Sequence, residues 1–263
     1  MTFRPIWNRD HPPEEKKDEL FERLAALEQR GRDVVENLIK AVSILGCDVD
    51  NVSRIADQAV TDIVAGADLA RHGYAKQALT LMRSWYEQAF FVLYFLEAPL
   101  HRLAWVQEPE INFGHRPKSP LMLHQFFTTG RDPHPFAVAY KIRLDNLFLR
   151  LKLQLSNKQE PATVAEACLT DLSKGVHGTY SPTTPRTDAD VAKALLPVNE
   201  LLERSVMSYA AFITAYVVDI GDVDDQRLLE LRNGSRKDDP IDSVFVEFRH
   251  WLSSLSTKRG NRG

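Results

Sequence analysis

Apolar residues recur at helical spacing from the first third of the chain to its end. Over 14–45 they fall every three, four or seven positions and form one stripe on a 3.6-residue period, which predicts a first helix there. The stripe consists of Leu20, Leu24, Leu27, Val34, Leu38, Val42 and Leu45. A second helix is predicted from a cap at Asp50 or Asn51 to a glycine stop at Gly73.

The most apolar segment of the chain is GYAKQALTLMRSWYEQAFFVLYFLEAPL, residues 73–100. A helix that is apolar on nearly every side is typically surrounded by other helices, so this segment predicts a central helix over 74–98, ended by Pro99. The longest candidates for membrane insertion, 89–96 and 207–220, are shorter than the roughly 18 residues that a membrane span requires.

The rest of the chain extends the helical pattern. Breaker-rich stretches at 105–120 and 128–135 flank a short predicted helix at 121–127. Further helices are predicted at 136–155, 161–174, 188–220, 225–231 and 241–255. Pro197 is expected either to kink its helix or to mark its true start.

Together these patterns predict an all-α protein. No segment shows sustained alternation of apolar and polar residues between hairpin turns, so no sheet is expected. We expect one irregular bundle of about six to nine helices over 14–257. An irregular leader (1–13) would precede it, and a basic tail (258–263) would follow.

Composition narrows the possible functions. The chain of 263 residues has a formal net charge of -3, which argues against a general nucleic-acid coat but not against a local basic patch. Cys47 and Cys168 belong to no C-x-x-C motif, so reduced thiols in the cytoplasm are expected, with a disulfide or a two-thiol metal site as alternatives. The absence of an apolar leader segment also favours a cytoplasmic location. No cofactor or metal motif is present, so neither is expected.

Two charges interrupt the central apolar helix. Arg83 and Glu87 are four residues apart and therefore share one helix face. They are expected to form either a structural ion pair or an interior polar site in which Arg83 holds an anion or Glu87 acts as acid or base. A buried carboxylate beside an arginine normally keeps its charge, which suits pairing better than proton transfer.

Two further sets of residues are candidates for chemistry. In LSKGVHGTY (172–180), His177 lies between two glycines, and with Ser173 it is predicted either to reach into a cleft or to cap its helix. In the breaker-rich loops, basic side chains are predicted either to contact phosphates or to form a solvated surface. This second set is His115, Arg116, Lys118 and Arg131.

Three short motifs carry a resemblance to a known group of proteins. They are RSWYE (83–87), the apolar run from Tyr94 to Trp105, and SKGVHG (173–178). Over about 50–220 the chain resembles a little-characterised bacterial family of all-helical proteins related to the HEPN and abortive-infection group. HEPN ribonucleases carry an arginine, four to six residues and a histidine on a helix at a dimer interface. Here that spacing occurs only from Arg4 to His11, in the leader.

Two hypotheses follow. The resemblance implies a helical effector or sensor of an anti-phage defence or toxin–antitoxin system that is cytoplasmic and forms a homodimer. It would bind RNA or a nucleotide, or cleave it without metal, through Arg83, Glu87, Ser173 and His177. The alternative is a non-enzymatic interaction or oligomerisation module whose Arg–Glu pair is structural. The stripe of the first helix would either form a dimer seam or pack inside its own bundle.

Overall fold

All regular structure in the described residues of the computed structural model is helical. The model describes residues 17–107, 135–176 and 187–260. The helices in these ranges are α1 (Lys17–Ile44), α2 (Val52–Arg71), α3 (Ala75–Glu97), α4 (Pro99–Gln107), α5 (Pro135–Arg150), α6 (Pro161–Val176), α7 (Asp188–Ile220), α8 (Asp225–Asn233) and α9 (Asp242–Gly260). The predicted all-α bundle of six to nine helices is therefore confirmed. The leader and the predicted helix at 121–127 lie outside the described residues.

Helices α3 and α7 form the centre of the bundle. They run in the same direction, because Tyr86 meets Ser208 and, one turn later on both helices, Phe90 meets Phe212. The central position predicted for 74–98 is confirmed, and α7 shares it. The expectation that 207–220 is too short for a membrane span was wrong, since Asp190–Ile220 of α7 is long and apolar enough to cross a membrane by length and composition. In this fold 83% of its most apolar stretch is buried inside the bundle.

The apolar stripe of α1 is buried within its own chain. Leu24, Val35 and Leu38 have no exposed surface. Gly31 permits this close packing, since a Cβ atom at its position would lie 2.1 Å from Cδ1 of Ile63 and 3.4 Å from the Trp85 ring. The choice between a dimer seam and internal packing is thereby resolved for this stripe in favour of internal packing.

Several helix ends follow the predicted signals. Asn51 is the N-cap of α2, although its side chain makes no capping hydrogen bond. Gly73 follows α2 with a φ of 83°. Its N–H donates to Ala70 O at 2.9 Å, as in a glycine-terminated helix. Asn51 therefore lies in the turn that precedes α2, and Gly73 lies in the turn between α2 and α3.

Two prolines can be compared with their sequence-based expectations. Thr187 and Asp190 form a capping box that starts α7 at Asp188, so Pro197 lies inside a continuous helix and does not mark its start. Pro99 ends α3 but also begins α4, which the sequence analysis had not placed. Proline fits the first turn of a helix because its missing N–H would have no partner there.

Candidate functional site

Arg83 and Glu87 form an ion pair on one flank of α3. The Nε and Nη2 atoms of Arg83 both lie 2.9 Å from the same Glu87 oxygen, Oε1. The side chains are 25% and 30% exposed, so the pair is at the edge of the bundle and not in the interior where the sequence analysis expected it. Each charge is therefore neutralised by the other within one turn of helix.

Neutral hydroxyl groups link α3 to α7 in the interior of the bundle. The hydroxyls of Tyr86 and Ser208 are 2.7 Å apart, and Ser208 donates to the Ser205 carbonyl at 3.0 Å. Tyr209 donates to the Ala89 carbonyl at 2.8 Å. Burial raises the pKa of Tyr86 well above its ordinary value, and does the same for Tyr209. At neutral pH these groups bind α3 to α7 as uncharged hydrogen-bond partners.

Cys168 of α6 faces the same interior and is fully buried. Burial raises the pKa of its thiol to about 11, although the charge of Arg204 and a hydrogen bond with Ser205 act in the opposite direction. A protonated, buried thiol is a poor nucleophile, so Cys168 is a packing residue. Both cysteines are free, as predicted, and Cys47 is partly exposed.

A buried carboxylate connects α6 to α7. Asp171 is 5% exposed. It pairs with Lys174 one turn along α6, and its Oδ2 lies 3.9 Å from Nη1 of Arg204 on α7. The spacing of Asp171 and Lys174 is a local signal that sequence reasoning could have used, whereas Arg204 is brought in only by the packing of the two helices.

Ser173 is the only other predicted catalytic residue within the described part of the chain. Its hydroxyl donates to the Leu169 carbonyl at 2.6 Å, one turn earlier on α6. This bond within the helix occupies the hydroxyl hydrogen of Ser173, which is partly buried on α6. His177 lies outside the described residues, and so do the predicted phosphate contacts His115, Arg116, Lys118 and Arg131.

Arg143 is a polar centre that sequence reasoning missed. From α5 it pairs with Glu97 at the end of α3, and its Nε donates to Asp219 at the end of α7 at 2.7 Å. Its guanidinium carbon lies 5.2 Å from the centre of the Tyr140 ring and 5.4 Å from that of Tyr216. These contacts hold the C-terminal ends of α3 and α7 against the middle of α5, and no motif in the sequence joins residues so far apart.

Comparison with known proteins supplies no relative from which a role can be transferred. No family model, curated protein or solved structure matches the chain. Among residues 17–107, 135–176 and 187–260, no cluster of histidine, cysteine and acidic side chains has the grouping that a metal ion needs. Function is therefore argued from the side chains described above.

Proposed function

We propose that this chain is a non-enzymatic helical interaction module in which Arg83 and Glu87 stabilise α3 as a structural ion pair. The observation that carries the proposal is the double contact of Arg83 with a single Glu87 oxygen, with both nitrogens at 2.9 Å. An arginine that holds a substrate phosphate directs its donors at the ligand, whereas these donors are directed at a neighbour on the same helix.

The other candidate groups support the same proposal. General acid–base or nucleophilic chemistry requires a side chain that can exchange a proton with a bound substrate. The Ser173 hydroxyl donates within its own helix, and the Cys168 thiol is buried with a raised pKa. The two free thiols also support a cytoplasmic location for the module.

A HEPN-like effector of anti-phage defence is the second candidate. One observation favours it: Arg83 and Glu87 keep 25% and 30% of their side-chain surface exposed, so an anion in solution can reach them. Helix α3 packs against α6, which carries Ser173 and leads directly into the segment containing His177. RNA or a nucleotide would then compete with Glu87 for Arg83, without a metal.

Expression in a bacterial host separates the two functions. Wild type, Arg83→Ala and His177→Ala are compared for growth and for the integrity of total RNA. Arg54→Ala is the matched control, because Arg54 is an exposed arginine on α2. The interaction module predicts equal growth and intact RNA in all four strains. RNA degradation by wild type and Arg54→Ala that disappears in Arg83→Ala or His177→Ala would establish the nuclease instead.

A further inference from the structure

An open groove lies on the surface between the α5–α6 connection, α8 and α9. Its volume is about 720 Å³, within the range of pockets that hold a specific ligand. We call it the leucine groove, because its apolar lining consists of Leu149, Leu153, Leu155, Leu252 and Leu255. Leu149 is 75% exposed at one side of it. The other four leucines are partly buried and pack against the core with one side. Leucine side chains that keep part of their surface accessible beside an exposed one are typical of a binding surface.

The two walls of the groove come from different kinds of structure. Leu153 and Leu155 belong to an irregular segment between α5 and α6, two residues apart. Leu252 and Leu255 are three residues apart on α9 and so lie one above the other on the helix surface. A segment that enters between the walls would meet leucine side chains from both sides.

The charged side chains that line the groove are all basic. They are Lys152, Arg232 and Arg249. Arg249 is neutralised by Asp242, through contacts of 2.8 and 3.1 Å. Arg232 donates to the Leu151 carbonyl at 3.2 Å. Within the described ranges, neither Lys152 nor Arg232 has a carboxylate within 4.0 Å, so two positive charges beside the leucines have no opposite charge.

This lack of compensation contrasts with other arginines of the bundle. Arg30 holds Glu247, Arg143 holds Asp219 and Arg227 holds Asp239, each with a contact shorter than 3 Å. Carboxylates supplied by a partner would form ion pairs with Lys152 and Arg232, as Glu247, Asp219 and Asp239 do with the three arginines. The charge of the groove therefore specifies an acidic occupant.

We infer that the leucine groove docks an acidic amphipathic helix of a partner protein. Its leucine-like side chains, spaced three and four residues apart, enter between the two walls, and its carboxylates pair with Lys152 and Arg232. A basic or neutral helix would bury the same apolar surface but leave the two cations without partners. The inference rests on the proposed interaction function and names the chemistry of the partner.

A displayed library of random peptides roughly 15 residues long, about four helical turns, tests the inference without choosing the sequence in advance. The wild-type protein is expected to select peptides with leucine-like residues at helical spacing and flanking Asp or Glu. A selected peptide is then synthesised, and its Kd is measured by fluorescence anisotropy. Leu149→Ser and Lys152→Glu should each weaken binding about tenfold or more. Both residues are exposed, so the variants are expected to fold.

Matched controls are available on the same surface. Leu229→Ser and Lys158→Glu make the same chemical changes at exposed positions outside the lining and should leave Kd unchanged. A peptide with lysine in place of its acidic residues should lose binding to wild type and regain part of it with Lys152→Glu.

Three results would overturn the inference: no selected peptides, peptides without acidic residues, or binding that is insensitive to Leu149→Ser and Lys152→Glu. Sedimentation of the wild type could give a fourth result that overturns the inference. If the chain self-associates and Leu149→Ser makes it monomeric, the occupant is a second copy of the chain. RNA cleavage that depends on Arg83 would instead refute the proposed function, whatever the groove binds.

Discussion

Two apolar surfaces of this bundle differ in how far they are buried. Between α3 and α7, the Phe90 ring lies edge-on to Tyr209 and Phe212, with ring centres 5.3 and 5.1 Å away, and all three residues are buried. The leucine groove is lined by apolar side chains as well, but its Leu149 is 75% exposed. The first surface is covered by helices of the same chain, whereas the second is an open groove among the residues that the structure describes.

The polar groups around the two surfaces differ in the same way. In the α3–α7 seam, the buried hydroxyls of Tyr86 and Tyr209 have hydrogen-bond partners in α7 and α3. At the groove, Lys152 and Arg232 have no carboxylate within 4.0 Å among the described residues. The contrast teaches that stability and recognition reside in different parts of the molecule, and it can be tested by perturbing each part separately.

The largest expected effect is on stability, from truncation of the seam. Phe90→Ala should lower the free energy of unfolding by about 3–5 kcal/mol, because it removes a buried ring and leaves a cavity between two helices. Leu149→Ala, at the groove, should change it by less than about 0.5 kcal/mol. Urea denaturation of both variants measures the difference. Equal losses would mean that the groove contributes to the core and is not an open surface.

The helices themselves could be predicted from sequence because their signals are local. The apolarity of 73–100 and the spacing of the α1 stripe each lie within one helix, and both gave correct elements. The pairing of Arg83 with Glu87 was likewise one of the two expected arrangements, since four residues separate them on one helix.

The exposure of side chains and the contacts between helices depend on how the helices pack, which cannot be predicted from a local pattern. The exposure of the Arg83–Glu87 pair is set by its neighbours and was expected to be lower. Arg143 contacts Glu97 and Asp219 across three helices. The leucine groove likewise brings together residues about a hundred positions apart in sequence, and whether such leucines are covered is decided only by the fold.

The free energy of unfolding should fall at alkaline pH because of a buried thiol in the interior of the bundle. Burial raises the pKa of Cys168 from 9.0 to about 11, so the folded state holds this proton more tightly than the unfolded state. The resulting stabilisation is complete below pH 9 and is lost as the pH rises towards 11. Between pH 8 and pH 10 this single group should cost about 1 kcal/mol of the free energy of unfolding.

Comparison of wild type with Cys168→Ala at both pH values isolates this effect. The variant should be less stable at pH 8, because it leaves a small cavity, but should lose about 1 kcal/mol less on going to pH 10. Cys47→Ala is the control for removal of the partly exposed thiol and should keep the wild-type dependence. An unchanged dependence in Cys168→Ala would contradict the burial of this thiol in a closed interior.

The smallest expected effect is the most direct test of the central claim, that Arg83 and Glu87 are a structural pair. A double-mutant cycle with Arg83→Met, Glu87→Gln and both together yields their coupling in the free energy of unfolding. A structural ion pair should give a favourable coupling of about 0.3–0.5 kcal/mol, as for other partly exposed pairs four residues apart on a helix. Single substitutions that stabilise the protein, with no favourable coupling, would contradict the claim, because residues retained at a cost to stability are typical of a functional site.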